Sequence, residues 1–475
     1  MTLPPDPSRP VSASLDRRRF LGAVLAPALR PLATVLGTGA LGARALGIGS
    51  TGIGAMAAGS GSGSAAEVDV VVVGAGAAGI AAARTLLAAG RSFLVLEARD
   101  RIGGRCVTDT GLFGRPIDLG AHWIHAVDAT PFAGHAAELG LGLIEARQDF
   151  TLYDGRRRLS GPDVDAFGDA WEAFEQAILA AGRAQRDLSA AEVMPTGLGD
   201  WADTVAFALG PFGCAKDIEH ISTVDFAAAV EYPQAFVTEG YGTLIARLAE
   251  GIPVGTGIPV TRIVRSGPRL AVETPRGTVS ARAAIVTVST DALAAGAVRF
   301  DPPLPADQED ALTGLSLGDY EHIFVELPQG ALGLGPDEPV LLKRQGRRTL
   351  GLLANLGGSG LVMADAAGSF AADLARAGDR AAVAFALELV AQSFGADAVR
   401  RPGRSHVTRW RADPWIRGAF SCAEPGRARD RAILRRPVDE RLRLAGEATH
   451  PSLWGSVGGA WAEGIRAATE TLAAL

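Results

Sequence analysis

Six residues, Val68-Asp69-Val70-Val71-Val72-Val73, run directly into Gly74-Ala75-Gly76-Ala77-Ala78-Gly79, and few folds accommodate that juxtaposition. A short β-branched run of this kind suits a strand buried in a parallel sheet. The glycines permit a tight turn, close approach of backbone to a pyrophosphate, and close packing of helix on strand. Residues 80–89 then read as a helix that ends at Gly90. Its N-terminus, with free N–H groups and the positive end of the dipole, is where phosphates would sit. Residues 92–96 read as a second strand ending at Glu97, the spacing expected of an acid that binds ribose hydroxyls. An acid there argues against a 2′-phosphate and hence against NADP. These features point to a dinucleotide and leave NAD and FAD open.

Composition narrows the class. The chain has 475 residues, 48% of them apolar and 21% charged, enough for one or two globular units. A formal net charge of -6 argues against nucleic acid as a partner, since a nucleic-acid binder carries a basic footprint. Only Lys216 and Lys343 are lysines among the 46 basic residues, so a missing lysine is conspicuous. Cys106, Cys214 and Cys422 have no metal-type spacing, so no metal is expected, and an odd count cannot be a complete disulfide framework.

The first 66 residues read as an export signal and linker. Asp16-Arg17-Arg18-Arg19-Phe20-Leu21 precedes a moderately apolar stretch over 21–43, and paired arginines followed by Phe-Leu resemble a twin-arginine signal. A membrane anchor needs about 20 uninterrupted apolar residues, whereas Arg30 interrupts this run and Pro27 and Pro31 flank that arginine. No stable anchor is expected. Residues 59–64 (GSGSGS) form a flexible linker. The resemblance implies the twin-arginine export machinery as a partner and a periplasmic or secreted location. That route carries folded proteins, which suits a chain that takes up a bulky cofactor first.

Downstream, Arg99-Asp100-Arg101-Ile102-Gly103-Gly104-Arg105 brings two further glycines and local cations toward a diphosphate. With Glu97 and Ala98 this stretch resembles the second FAD motif of the flavin-containing amine oxidases: monoamine oxidases, polyamine oxidases and flavin-dependent histone demethylases. Asp118-Leu119-Gly120-Ala121-His122-Trp123-Ile124-His125 resembles their next segment, most closely that of animal acetylpolyamine and spermine oxidases. The resemblance continues through Glu239-Gly240-Tyr241, Ile258-Pro259-Val260-Thr261-Arg262-Ile263, Arg299-Phe300-Asp301-Pro302-Pro303, residues 442–449 (LRLAGEAT) and Gly455-Ser456-Val457-Gly458-Gly459-Ala460. It implies FAD as cofactor. The cofactor-binding residues are then Gly74, Gly76, Ala78, Gly79, Glu97, Arg99, Gly104, Arg105, Gly120, Ala121, His122, Trp123, Val260 through its backbone, Glu447 near the ribityl-pyrophosphate region, and the Val457 N–H.

The implied fold is α/β, a doubly wound (Rossmann-like) FAD-binding domain with a discontinuous α+β substrate domain that carries a helical insert. The FAD domain takes 67–125, 236–298 and 438–475. The substrate domain takes the insert, 126–235, and a sheet region, 299–437. Within the insert, Phe167, Trp171, Phe174, Ala177, Ile178 and Ala181 recur at helical spacing and read as core. The helix expected over 461–472 would place its positive end near the reduced flavin.

The activity the resemblance implies is oxidation of a polyamine-like or other primary or secondary amine to an imine, with hydride passing to flavin N5. Dioxygen then reoxidises the flavin and yields hydrogen peroxide. Of the two aromatic rings that flank the amine in monoamine oxidases, the first matches Phe420 and the second matches Ser456, a small hydroxyl residue as in spermine oxidases. Ala419 stands where monoamine oxidases tether FAD through a cysteine, so noncovalent FAD is implied. Phe420 filling core is the plainer alternative. His125 matches a substrate-facing polar residue and is expected to hydrogen-bond a substrate nitrogen or pass a proton near neutral pH, unless it is a satisfied histidine at a domain interface. The largest departure is His322, in Tyr320-Glu321-His322-Ile323-Phe324, where the family has a lysine bonded through water to flavin N5. An imidazole can hold a water and accept a proton that an ammonium cannot. Two other readings follow from that departure: a desaturase or dehydrogenase of the same fold using another acceptor, and a flavin-binding protein that has lost turnover.

Overall fold

Val70 to Val73 are buried on both faces of their strand, so Ala66–Val73 needs a neighbouring strand on each side. It has them: Phe93–Leu96 and Gly277–Val286, both parallel to it. The computed structural model describes residues 66–475. The export signal and nearly all of the linker lie outside the described residues.

Ala66–Val73 lies within an eight-stranded sheet. Val254–Gly255, Phe93–Leu96, Ala66–Val73, Gly277–Val286 and Leu442–Leu444 run parallel, in that spatial order. Gly277–Val286 is long enough to serve two partners on its far side. It pairs antiparallel with Leu270–Thr274 along its first half and parallel with Leu442–Leu444 at its end. Arg262–Val264 and Arg299–Asp301 complete the sheet. The helix Ala77–Ala88 starts within the glycine turn, ahead of the expected 80–89, and packs against the last helix, Val457–Ala474. A Cβ on Gly464 of that last helix would lie 2.1 Å from the Ala78 carbonyl oxygen, so only glycine allows the two backbones this close.

The second sheet has seven strands in the order Ser405–Val407, Tyr320–Glu326, Leu361–Ala367, Gly351–Ala354, Glu338–Leu342, Thr151–Asp154, Arg157–Arg158. All neighbours are antiparallel except Glu338–Leu342 with Thr151–Asp154. Gly368–Ala377 and Asp379–Phe394 cover one face, burying Phe370, Leu374, Leu389 and Val390. The insert contributes Pro162–Arg183, whose Phe167, Phe174, Ile178 and Ala181 are core, while Trp171 is half-buried.

Burial, not chain order, sets the division between the two sheets. The insert supplies two strands of the second sheet, Thr151–Asp154 and Arg157–Arg158, alongside its helices. Conversely, Arg299–Asp301 belongs to the first sheet, and Leu312 and Leu434 on either side of the second sheet's strands pack into the first sheet's core. Among the described residues, no helix is long and apolar enough to cross a membrane.

Candidate functional site

The first turn is held by its own acid. Gly74 adopts φ +102, and a Cβ on Gly79 would lie 1.9 Å from the Gly74 carbonyl oxygen, so the helix sits directly on the strand end. Glu97 is buried at the end of Phe93–Leu96; Ala75 N–H donates to its Oε2 at 2.8 Å and Arg99 N–H to its Oε1 at 2.9 Å. The second glycine loop closes on the first through Gly103 N–H to the Ala75 carbonyl, 2.9 Å. Where the loops face each other, a Cβ on Gly76 would meet nothing nearer than the Gly104 Cα, at 3.9 Å. Two backbones thus meet with no side chain between them, beside a helix N-terminus, the backbone surface that a diphosphate needs. The residues fit an FAD.

Of the remaining members of the expected cofactor set, Ala78 is buried with its carbonyl packed against Gly464, and its N–H belongs to the first turn of Ala77–Ala88, the helix end that would face a diphosphate. Val260 is buried in the first sheet's core. Arg99 pairs with Asp413 at 2.7 Å, with its guanidinium 5.9 Å from the Trp410 ring centre, and so ties the loop 410–417 to the cradle.

Arg105 links the cradle to the other half of the molecule. Its Nη1 donates to the Ala419 carbonyl at 2.6 Å and to Glu447 Oε1 at 3.0 Å. Glu447 also accepts from Ser421 N–H, Ser421 Oγ and Gly455 N–H, at 3.1, 2.6 and 2.9 Å. Burial raises its pKa, but Arg105, Ser421, Arg431 and the Gly455 N–H lower it by more, and it stays an anion. Behind it, the fully buried Arg431 forms a two-pronged pair with Asp225, at 2.6 and 2.7 Å, and donates to Ser421 Oγ and the Ala448 carbonyl. Neither Asp225 nor Arg431 was expected from sequence; an arginine and an aspartate 206 residues apart carry no local signal.

The segment 118–125 is fixed by its side chains. Asp118 is buried and accepts from Tyr241 N–H and Gly242 N–H, capping the helix Tyr241–Leu248, and from Thr108 Oγ1 at 2.6 Å. His122 Nδ1 lies 3.2 Å from Asp118 Oδ2, and its ring lies 4.5 Å from that of Phe236, tilted by 35°. Trp123 is half-buried, 5.8 Å from Phe236. Trp410 Nε1–H holds the Leu119 carbonyl, and Ala121 N–H donates to the Arg105 carbonyl. His125 Nδ1 receives the Gln234 amide at 2.9 Å, which leaves the ring proton on Nε2. Burial pushes its pKa down to about 4, so His125 is neutral near pH 7 and the expected proton transfer there is corrected.

Tyr320–Glu326 brings the last expected residues together. His322 is buried; its Nδ1 lies 2.6 Å from Asp365 Oδ1 and its Nε2 3.0 Å from the Gly120 carbonyl. Both nitrogens are therefore taken, and the expectation of an imidazole free to hold a water or accept a proton is corrected. Tyr320, two residues earlier on the same face, lies 5.6 Å from the His322 ring and 6.1 Å from Phe420. The half-buried Phe420 thus has an aromatic neighbour that the sequence did not single out. Ser456 Oγ accepts from Gly459 N–H at 3.0 Å and donates to the Leu453 carbonyl at 2.6 Å. It caps Val457–Ala474, and this replaces the catalytic part expected of it.

Known proteins resemble this chain in sequence and fold. The family model for flavin containing amine oxidoreductases matches residues 77–472. Polyamine oxidase 2 of Arabidopsis thaliana is 32% identical over 432 residues, covering 82% of this chain and 85% of its own length. Lysine-specific histone demethylase 2 of Homo sapiens is 27% identical over 433 residues; the chain spans about half of that relative's length, 52%. Among solved structures, putrescine oxidase bound to putrescine superposes with a TM-score of 0.73 at 22% identity, covering 86% of this chain and 99% of its own. Cyclohexylamine oxidase from Brevibacterium oxydans IH-35A gives 0.72 at 22% identity, covering 85% and 98%. At that identity the two structures speak for the fold.

Proposed function

The chain belongs to the flavin containing amine oxidoreductases, and from that premise we propose that it oxidises a polyamine-like or other primary or secondary amine to an imine on a noncovalent FAD. The observation that carries this is the 2.6 Å bond from Arg105, the last residue of the second glycine loop, to the Ala419 carbonyl. It ties the cofactor cradle to the residue next to Phe420, so cofactor and substrate-facing ring share one support.

A bound FAD would supply the hydride acceptor for the carbon bearing the amine nitrogen and the route of its electrons to dioxygen, with hydrogen peroxide as the product. The residues of this chain do the rest. Gly76, Gly104 and the N-terminus of Ala77–Ala88 would receive its diphosphate on backbone N–H groups, and Glu97 would offer its remaining acceptor capacity to ribose hydroxyls. Phe420 and Tyr320 present ring faces that position an amine and exclude water. His125, neutral with its proton on Nε2, donates a hydrogen bond and leaves the amine uncharged.

Oxygen uptake and peroxide formation with putrescine, spermine, N-acetylated spermine and cyclohexylamine test this reading. Turnover of one class with equal oxygen and peroxide supports it. Absence of both, with flavin bound, contradicts it. We further propose that the arginine pair before Phe20-Leu21 sends the folded, flavin-loaded chain through the twin-arginine route. Replacing Arg17, Arg18 and Arg19 with lysine should then strand the protein in the cytoplasmic fraction.

A further inference from the structure

Antiparallel pairing of Tyr320–Glu326 with Leu361–Ala367 sets His322 directly opposite Asp365. Cross-strand partners on one face are the nearest side-chain neighbours a sheet offers. Here they meet in the interior, with side-chain exposures of 5% and 1%. The second ring nitrogen faces the Gly120 carbonyl. A carbonyl oxygen only accepts, and an ionised carboxylate only accepts, so a ring bonded to both carries a hydrogen on each nitrogen.

We propose that Asp365 is a positioning residue that holds His322 as an imidazolium, and that the pair is a fixed cationic clamp on the Gly120 carbonyl. The clamp joins the substrate-domain sheet to the cofactor side of the molecule. Gly120 sits between Leu119, whose carbonyl is held by Trp410, and Ala121, whose N–H is held by the Arg105 carbonyl. Two adjacent peptide groups are thus gripped at three atoms, and His322 supplies the only one of these grips that comes from a strand of the second sheet. A Cβ at Gly120 would lie 2.1 Å from the Arg105 carbonyl oxygen, so the segment has no slack to move toward the cradle.

The charged surroundings support a cation. Burial lowers the His322 pKa, but the Asp365 charge and hydrogen bond raise it by more, with help from the Gly120 carbonyl and Glu321. Glu321 points to the opposite face, where Thr408 Oγ1, Trp410 N–H and Arg411 N–H bind it. Tyr320 is kept a neutral phenol by burial and by the Asp365 charge. Next to Gly120 in the chain, Asp118 and His122 pair with each other at 3.2 Å. Removing the Asp365 charge leaves a buried imidazolium with no counter-charge, which loses its proton instead of persisting.

The test is the imidazole ¹H–¹⁵N spectrum of the full chain, loaded with its flavin and labelled at its 7 histidines. His322 is assigned by its loss in His322→Gln. The expected result is that both His322 nitrogens stay protonated across roughly pH 5 to 8, where an ordinary histidine titrates. Asp365→Asn should convert the signal to a neutral ring with one N–H. It should also add a titration step to the pH profile of flavin reduction that the parent lacks, with the KM for amine unchanged. A His322 that titrates in the parent, or an Asp365→Asn protein with an unchanged spectrum, overturns the proposal. If Asp365→Asn does not fold, the parent titration decides alone. The histidine spectrum does not depend on turnover, so failure of amine oxidation and failure of the clamp are separate results.

Discussion

The cofactor cradle and the seam between the two sheets hold their functional atoms by opposite means. The cradle is made of backbone: Gly76 faces Gly104 with no side chain between them, and Gly79 and Gly464 let a helix touch a strand end and another helix. The seam is made of charge pairs, each with at least one buried partner: Arg105 on Glu447, Arg431 on Asp225, His322 on Asp365. A site built from missing side chains fails when an atom is added. A site built from paired charges fails when one partner is removed.

The sharpest way to break that contrast is at Arg431. Arg431→Met leaves Asp225 buried without its counter-charge and should cost about 3–5 kcal/mol, read from urea unfolding. The double replacement Asp225→Leu with Arg431→Met should recover much of that loss. A single mutant as stable as the parent would mean that the seam is held by packing alone. On the cradle side, Gly464→Ala adds one carbon against the Ala78 carbonyl and should cost about 1–3 kcal/mol as the two helices part. Flavin should be retained less well in proportion, measured by release on dilution. Ser456→Ala removes the cap of Val457–Ala474 and should cost about 1 kcal/mol, with flavin reduction by amine nearly unchanged. A large loss of reduction rate in that variant would restore the hydroxyl to a catalytic part.

The smallest effect expected is on pH dependence. His125 has a folded pKa of about 4, below its unfolded value of about 6.5. The unfolded chain therefore binds the proton first as pH falls. The stability that neutral His125 contributes is complete above about pH 6.5 and declines as pH drops toward 4. Thermal unfolding across that window should show a slope that His125→Gln reduces.

The same contrast explains what could be read from sequence. Glycine turns are local, so strand, turn, helix and acid from Val68 to Glu97 were legible in order, and the fold class with them. The packing of Gly464 on the Ala78 carbonyl was not legible, because the two residues come from opposite ends of the folded chain. The missing lysine at His322 was visible, but its partner lies 43 residues on, across a strand pairing that no local pattern specifies. Tyr320 stood beside His322 in the sequence, yet its value as a neighbour to Phe420 depends on how two distant segments meet. Ser456 matched a position flanking the substrate, while the structure uses its hydroxyl to start a helix.

Amine oxidation on a noncovalent FAD is tested most directly by the visible spectrum of the purified protein, mixed without oxygen with spermine, N-acetylated spermine, putrescine and simple monoamines. Bleaching of the oxidised flavin band by one class, with release of the unmodified cofactor on denaturation, is the result expected. A yellow protein that none of these amines bleaches, or a flavin that stays attached to the denatured chain, would contradict it.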